Sequence, residues 1–248
     1  MNLKWVVGST ATATIEFVLS RQAFPLTRLF PHGRSWLYDV QRFAGRKDLR
    51  ILFDVGANVG QTTTTLVKYF PNASIFSFEP VGATFASLRR LCERFQHVRC
   101  LNMALGSSVG VAEIEIHRNS ELNTLVCDGP RLDDLVGVRE AVSINTVDAF
   151  CATENVAEID IFKMDVQGWE MEVLRGARDI MAQKKVRFVF SEVGFRRADR
   201  DMQHFAELND FMETSGFWLC GFYDSFRWGE NKEFVGFANA LYMNRHIG

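Results

Sequence analysis

The segment Ile51–Thr62 constrains the fold more than any other part of the sequence. It begins with β-favouring apolar residues, reaches an acid at Asp54, and then opens into glycines and hydroxyl-bearing residues. Gly56 and Gly60 allow the backbone to turn and to approach a ligand closely, and the threonines that follow suit a helix N-terminus. A strand, a tight turn and a helix start in this order predict a nucleotide-binding α/β domain.

The spacing within this turn indicates which nucleotide is bound. The dinucleotide fingerprint is G-x-G-x-x-G, whereas the sequence here is D-x-G-x-x-x-G, with Asn58 between the two glycines. The carboxylate of Asp54 suits a ligand that carries positive charge, and it is unfavourable beside a pyrophosphate. We therefore expect S-adenosylmethionine, whose amino group and sulfonium are cationic, rather than NAD. Glycine-rich turns also occur in other α/β proteins, so this turn alone does not decide the cofactor.

Strand and helix patterns alternate after this segment. A second strand, Ile75–Phe78, is followed by Glu79 and Pro80, and apolar residues then recur at helical spacing. Val98–Leu101 is predicted as the third strand, and it leads into a loop at Asn102–Gly106. The order strand, helix, strand, helix, strand predicts a mostly parallel sheet with right-handed crossovers.

The second half of the chain adds an insertion and further strands. Residues 107–145 alternate apolar and polar side chains from Ala112 to Ile116, as a half-exposed strand does, and we expect this insertion to shape the acceptor pocket. A single helix is predicted from Trp169 to Met181. The remaining strands, the last two of which are expected to form an antiparallel edge pair, are Ile159–Asp165, Val186–Glu192, Phe217–Tyr223 and Ala238–Met243.

Residues 1–50 lack strand alternation. Amphipathic pieces at Thr14–Ala23 and Ser35–Phe43 predict an N-terminal helical extension, and residues 51–248 are predicted to form the main domain. The apolar residues near the N-terminus are interrupted by threonines and by Glu16. Neither a signal peptide nor a membrane-spanning helix is therefore predicted.

Composition and charge narrow the class of function. With 248 residues, 47% of them hydrophobic, the chain can bury a substantial core within one α/β domain. The net charge of −2 and the pI near 6.2 do not provide the basic surface of a nucleic-acid-binding protein, so nucleic acid is not expected as a substrate. The five cysteines form no C-x-x-C pair, which favours reduced thiols in a cytoplasmic protein over zinc ligands.

Four of the predicted strands end in an acidic residue, namely Asp54, Glu79, Asp165 and Glu192. Because the carboxyl ends of parallel strands line one crevice, we expect the four side chains to meet at a single site. One acid after a strand is more often a helix cap, but four of them favour a binding or catalytic site.

Five short motifs occur in order along the chain. They are Asp54-Val-Gly-Ala-Asn-Val-Gly60, Phe78-Glu79-Pro80, Asn102-Met-Ala-Leu-Gly106, Lys163-Met-Asp165-Val-Gln-Gly168-Trp-Glu170 and Leu174-Arg-Gly176-Ala177. Together they resemble the FkbM-type family of S-adenosylmethionine-dependent methyltransferases. The resemblance covers about residues 51–243 and implies a class I methyltransferase fold, a Rossmann-like seven-stranded sheet with an antiparallel terminal hairpin and helices on both faces. It also implies O-methylation of a hydroxyl on a small molecule, sugar or glycan, although Gln167 stands where the family commonly has Glu.

The strand-end acids and the resemblance together predict the cofactor site. Glu79 is expected to accept both ribose hydroxyls, as an acid after the second strand does in nucleotide-binding sheets. The other expected contacts are Asp54, Gly56 and Asn58 at the methionine part, Asn102, Met103 and Ala104 at the adenine, and Asp165 near the methyl group, and Gly60, Gln61 and Pro80 are further expected cofactor contacts.

Methyl transfer to an alcohol also requires a base, because a hydroxyl is a weak nucleophile until its proton is removed. Asp165 is the first candidate, since it ends a central strand and is expected to face the methyl group, and Glu192 and His117 follow. Asp165 could instead contact the cofactor or cap a helix. Asp165 and Glu192 could also hold a divalent cation, because hard cations prefer carboxylates, but the sequence does not require a metal.

Three other interpretations remain open at this point. A catalytically silent cofactor-binding module is disfavoured by the four intact strand-end acids. An N-methyltransferase acting on an amine is disfavoured because Asp165-Val-Gln-Gly168 replaces the Asn/Asp-Pro-Pro-Tyr/Phe run that grips an amine. A nicotinamide-dependent oxidoreductase is disfavoured by the glycine spacing and by the lack of a Tyr-x-x-x-Lys pair.

Overall fold

The computed structural model of the protein describes residues 31–45, 47–117, 125, 135–199 and 202–246, with the side chains of residue 117 and residues 135–138 left out. The chain divides into two compact units, residues 1–47 and 48–248. The helix expected at Thr14–Ala23 lies outside the described residues. Within the described part of the chain, every helix is too short or too polar to cross a membrane.

In the first unit, helix α1 spans Trp36–Ala44 and confirms the helix predicted at Ser35–Phe43. The carboxylate of Asp39 organises the segment before it, because it accepts a hydrogen bond from the backbone N–H of Gly33 at 2.7 Å. The same carboxylate lies 3.5 Å from the guanidinium of Arg42. Gly45 follows the helix with a φ of 65° and a ψ of −121°, a conformation that glycine adopts at little cost because it has no Cβ.

The second unit is built from ten strands and six helices in its described residues. The strands are β1 (Ile51–Val55), β2 (Ser74–Phe78), β3 (Val98–Leu101), β4 (Ala104–Leu105), β5 (Gly110–His117), β6 (Leu135–Asn145), β7 (Ile159–Met164), β8 (Val186–Gly194), β9 (Phe217–Trp228) and β10 (Phe234–Asn244). The helices are α2 (Gln61–Tyr69), α3 (Gly82–Cys92), α4 (Val147–Glu154), α5 (Glu170–Arg175), α6 (Arg178–Ala182) and α7 (Phe205–Thr214).

Seven of these strands form one sheet in the order β3-β2-β1-β7-β8-β10-β9. The first five are parallel to one another, whereas β10 is antiparallel to both β8 and β9. The strand order reverses between β1 and β7, which are direct neighbours. A ligand crevice is expected at such a reversal, beyond the carboxyl ends of the strands. The predicted seven-stranded sheet and its antiparallel terminal pair are confirmed.

Strands β5 and β6 of the insertion form a separate three-stranded sheet with β4, in the order β4-β6-β5. Strand β6 pairs with β4 in parallel and with β5 in antiparallel orientation. The alternation of residues 112–116 predicts β5 correctly, because Ile114 is buried and packs in one cluster with Val81 and Val142. Val81 lies at the start of α3, so the insertion packs against the segment that follows Glu79.

Phenylalanine rings fill the core between the main sheet and α4. Phe53, Phe78 and Phe150 form a triangle with ring-centroid distances of 5.0 to 5.6 Å and tilted or edge-to-face packing. Burying each ring is worth about 1.5–3 kcal/mol, and favourable ring geometry adds about 0.5–1.5 kcal/mol per pair. The abundance of phenylalanine in this sequence therefore contributes strongly to the sheet core.

The prediction of one helix from Trp169 to Met181 is wrong, because the chain forms α5 and α6 with a break at Gly176. A side chain at Gly176 would meet the carbonyl oxygen of Gly106 at 2.0 Å, so the backbone packs directly against that loop. The carboxylate of Asp148 then accepts hydrogen bonds from the N–H groups of Asp179 and Ile180 at 2.9 and 3.0 Å. This cap starts α6 as a new helix. The apolar residues keep their helical spacing across the break, so the sequence pattern predicts one continuous helix.

Candidate active site

A cavity of about 400 Å³ opens at the carboxyl ends of β1, β2, β7 and β8. This is the edge at which open α/β sheets bind their ligands. The insertion contributes part of the wall through Ile114 and Leu125, strand β4 contributes Leu105, and the segments around α7 and β10 contribute Met202 and Phe237. The cavity wall is therefore built from parts of the chain that are far apart in the sequence.

The turn after β1 forms one wall through close backbone packing. Gly56 has a φ of 73°, and a Cβ there would lie 1.8 Å from the carbonyl oxygen of Asp165. The N–H groups of Gly56 and Ala57 both donate to the carbonyl oxygen of Phe78, at 3.1 and 2.9 Å. Only glycine fits at position 56, because any side chain would separate this turn from the Asp165 segment.

Glu79 is a buried carboxylate that lines the cavity next to the turn after β1. It accepts hydrogen bonds from the backbone N–H groups of Asn58 and Val81, each at 3.0 Å. Burial raises the pKa of Glu79 to about 7, although these two hydrogen bonds and the charge of Lys163 oppose the shift. Glu79 thus joins the turn after β1 to the segment before α3, and it presents to the cavity a carboxyl group with a pKa near neutral pH.

Asp54 occupies a different place from the one that the sequence predicts. It lies inside β1 and is fully buried, and it is not part of the cavity wall. Its carboxylate accepts a hydrogen bond from the hydroxyl of Thr63 at 2.6 Å and forms an ion pair with the Lys163 ammonium at 3.0 Å. Of the four strand-end acids expected at one site, three line the cavity, namely Glu79, Asp165 and Glu192. The fourth, Asp54, is buried against Lys163.

Lys163 lines the cavity from β7 and is itself buried. Burial alone would lower the pKa of Lys163, but the charges of Asp54, Asp165 and Glu192 raise it above its ordinary value. Its ammonium also donates to the carbonyl oxygen of Gly56 at 3.0 Å. The lysine is therefore charged, and it connects the floor of the cavity to the turn after β1.

Asp165 and Glu192 form a pair of carboxylates at the other side of the cavity. The side-chain amide of Gln167 joins them, since its Nε2 lies 3.1 Å from Asp165 Oδ1 and 3.5 Å from Glu192 Oε2. Gln167 has a φ of 53°, an uncommon left-handed conformation for a residue other than glycine. In the described residues, no three acidic, histidine or cysteine side chains form a group that could hold a metal ion.

The segment after β7 is held in shape by Glu170, a fully buried residue at the start of α5. Its Oε1 accepts the backbone N–H of Val166 at 3.0 Å. Burial raises the pKa of Glu170 to about 7, while hydrogen bonds from backbone N–H groups oppose the shift. This contact folds the segment that carries Asp165 and Gln167 back onto the helix.

Most residues expected at the site do lie in the cavity wall, but four require comment. Gly60, with a φ of 99°, precedes α2 and is not in the wall. Asn102 also lies outside it, and its amide donates to the carbonyl oxygens of Glu79 and Pro80 at 3.0 and 2.8 Å. His117 ends β5, and its side chain is outside the described part of the structure; Asp54 is buried. The expected residues in the wall are Gly56, Asn58, Gln61, Glu79, Pro80, Met103, Ala104, Asp165 and Glu192.

Lys163, Met202 and Phe237 also line the cavity, although sequence reasoning assigned them no role at the site. Lys163 had a detectable signal, because a lysine inside the apolar run of β7 must find a partner when it is buried. Met202 and Phe237 carry no such signal. They reach the cavity only through the packing of α7 and β10.

The comparison with known families agrees with this geometry. Residues 54–222 match the family model described as the methyltransferase FkbM domain. The chain belongs to this family. The family resemblance based on the five sequence motifs is therefore confirmed.

The chain is 24% identical over 166 residues to the 2-O-methyltransferase NoeI of Sinorhizobium fredii, a match that covers 57% of this chain and 62% of that protein. It is 30% identical over 146 residues to the hexuronic acid methyltransferase AglP of Haloferax volcanii, with coverages of 58% and 55%. The match thus spans less than two thirds of the length of these curated relatives. Among solved structures, a METTL16 methyltransferase domain has a TM-score of 0.48 at 14% identity and covers 84% of this chain and 64% of that one.

Proposed function

We propose that this FkbM methyltransferase uses S-adenosylmethionine to methylate a hydroxyl group on a small molecule, sugar or glycan. The proposal rests on one observation: the polar groups that could bind a ribose and those that could accept a proton lie in separate parts of the same cavity. Glu79 lies beyond β2, where it can accept hydrogen bonds from a ribose, and Asp165 and Glu192 lie beyond β7 and β8, where they can accept a proton. The names of the two relatives, a 2-O-methyltransferase and a hexuronic acid methyltransferase, support a hydroxyl or carbohydrate acceptor.

The residues of the cavity fit the cofactor in charge and in space. Gly56 lets the turn after β1 pack closely against the Asp165 carbonyl group, and Asn58 and Gln61 provide polar groups where the methionine part would lie. We assign the ribose to Glu79 and Pro80 and the adenine to the segment of Met103 and Ala104. Gly60 and Asn102 serve this site indirectly, through the start of α2 and the Glu79–Pro80 turn.

When bound, the cofactor supplies an electrophilic methyl group for an in-line displacement. The protein must align the acceptor oxygen with that methyl group and exclude water, which alone can supply much of the rate. Asp165 then accepts the hydroxyl proton, and Gln167 keeps its carboxylate beside Glu192. A carboxylate pair facing the cavity suits an alcohol, because the proton must leave as the new carbon–oxygen bond forms.

The affinity for S-adenosylhomocysteine is expected to rise between pH 6 and pH 8. Glu79 has a pKa of about 7 in the free protein, and only its ionised form can accept hydrogen bonds from both ribose hydroxyls. Below the pKa, binding must first remove a proton, so the affinity should fall by up to about tenfold per pH unit. Isothermal titration calorimetry across this range measures the effect.

The matched variant for this experiment is Glu79→Gln, which keeps the shape of the side chain but does not titrate. Its affinity should be lower at pH 8, and the component of the pH dependence that comes from Glu79 should disappear. No heat of binding for the wild-type protein would contradict the assignment of the cofactor. Equal affinity in Glu79→Gln at pH 8 would contradict the assignment of the ribose.

Replacing Gln167 with glycine is expected to lower methyl transfer by roughly tenfold or more while the protein stays folded. Glycine accepts the left-handed backbone at this position, so the relief of strain and the added freedom of the unfolded chain nearly cancel, within about 1 kcal/mol. Thermal unfolding and transfer of a labelled methyl group to a panel of sugar and small-molecule alcohols provide the two measurements. Wild-type turnover in Gln167→Gly would remove the amide from the catalytic arrangement.

A further inference from the structure

Lys163 joins the turn after β1 to the Asp165 segment, and both line the cavity. Its ammonium lies 3.0 Å from the carbonyl oxygen of Gly56, 3.5 Å from that of Val55 and 3.8 Å from Asp165 Oδ2. It also lies 3.0 Å from Asp54 Oδ1. One cation thus contacts the turn after β1, the acid within β1 and the acid after β7.

We propose that Lys163 is a positioning residue for the cofactor, which holds the Gly56 turn and the Asp165 segment together as one binding surface. This inference rests on the proposed function, because it concerns the same cavity. It also gives Asp54 an indirect role at the cofactor site. The Asp54 carboxylate fixes the position of the Lys163 ammonium, and the ammonium fixes the position of the Gly56 turn.

Backbone contacts between the two segments make this arrangement sensitive to the lysine. The N–H of Asp165 donates to the carbonyl oxygen of Val55 at 3.1 Å, and Gly56 packs directly against the Asp165 carbonyl group. Asn58, two residues after Gly56, in turn donates its N–H to Glu79. A shift of the Gly56 carbonyl would therefore move the turn relative to both the Asp165 segment and Glu79.

Stability alone does not account for a buried ion pair at this position. The desolvation of two charges consumes most of their mutual attraction, and well-packed apolar residues can replace such a pair without loss. Asp54 is held further by the hydroxyl of Thr63, which lies 2.9 Å from the hydroxyl of Ser77. The ion pair lies against the turn that faces the cavity, because the Lys163 ammonium contacts the Gly56 carbonyl oxygen. This location favours a role for the pair in positioning the turn.

The test separates stability from cofactor binding with three variants: Lys163→Met, Asp54→Asn and the double variant. Lys163→Met should melt at a lower temperature, because it leaves the buried carboxylate without its counter-ion. The double variant removes both charges and should regain most of the lost thermal stability. Its affinity for S-adenosylhomocysteine, measured by calorimetry, should nevertheless stay about 10- to 100-fold below that of the wild type, which corresponds to the loss of a charged hydrogen bond.

A second readout does not depend on the cofactor. Amide hydrogen exchange in the free protein should be faster in the Gly56 turn of the double variant than in the wild type, because the turn has lost its contact with the ammonium. Arg187→Met is the matched control, since Arg187 is a buried cation at the opposite end of the sheet, near the start of β8. This control should alter stability but not the affinity for S-adenosylhomocysteine.

The possible outcomes distinguish this inference from the proposed function. If the wild-type protein binds no S-adenosylhomocysteine, the proposed function fails. If the wild type binds it and the stable double variant binds it equally well, with unchanged exchange in the turn, Lys163 only neutralises Asp54 and the inference is overturned. Weak binding together with faster exchange in a stable double variant supports it.

Discussion

Replacing Gly56 with alanine is expected to abolish binding of S-adenosylhomocysteine. The added methyl group would lie 1.8 Å from the carbonyl oxygen of Asp165, a distance that no small side-chain movement can relieve because the opposing atom is backbone. The φ of 73° adds strain for any residue with a Cβ. The turn must move away from the Asp165 segment, and a displacement of about 1 Å in a binding geometry can cost roughly 100-fold.

The stability of Gly56→Ala should also fall, by about 2–5 kcal/mol, because overpacking and backbone strain act at the same position. Thermal unfolding and calorimetry measure the two effects separately. Gly110→Ala is the matched control, since a Cβ at Gly110 meets nothing within 4 Å, and both properties should stay close to those of the wild type. A folded Gly56→Ala protein with unchanged affinity would mean that the turn after β1 is not part of the cofactor site.

Much of the fold was predictable because its signals are local. The apolar runs that became β1, β2, β7 and β8, and the acid or glycine at their ends, follow from strand propensity and from the geometry of parallel sheets. Glu79, Asp165 and Glu192 reach the cavity for this reason. The alternation from Ala112 to Ile116 likewise identified β5, because one face of that strand is buried.

The errors arise where a residue's environment depends on a distant part of the chain. Asp54 was expected to end its strand, but it lies inside β1 and is paired with Lys163, which a neighbouring strand far along the sequence supplies. The helix predicted from Trp169 breaks at Gly176 because Asp148 of α4 caps the following turn. Neither the counter-ion nor the cap can be read from local periodicity.

The replacement of Asp165 by asparagine is expected to lower methyl transfer by about 100- to 10,000-fold, the range that a general base contributes. Asparagine has the same shape but cannot accept the hydroxyl proton. The side chain of Asp165 is 43% exposed, so a substrate can reach it from the cavity. The affinity for S-adenosylhomocysteine should change by no more than a few fold, which would separate a role in the reaction from a role in holding the cofactor.

Glu192→Gln and His117→Gln complete the experiment, because each tests another candidate base with a side chain of similar size. The measurement is the transfer of labelled methyl groups to a hydroxyl acceptor found in the same panel of sugars and small alcohols. Asp165 has the stronger case, since it follows the central strand β7 and lies between Lys163 and Gln167, at 3.8 and 3.1 Å. The hydrogen bond from Gln167 and the positive charge of Lys163 orient its carboxylate, as a proton acceptor requires. A greater loss in Glu192→Gln than in Asp165→Asn would transfer the role of base to the neighbouring strand and leave Asp165 as a residue that positions the cofactor.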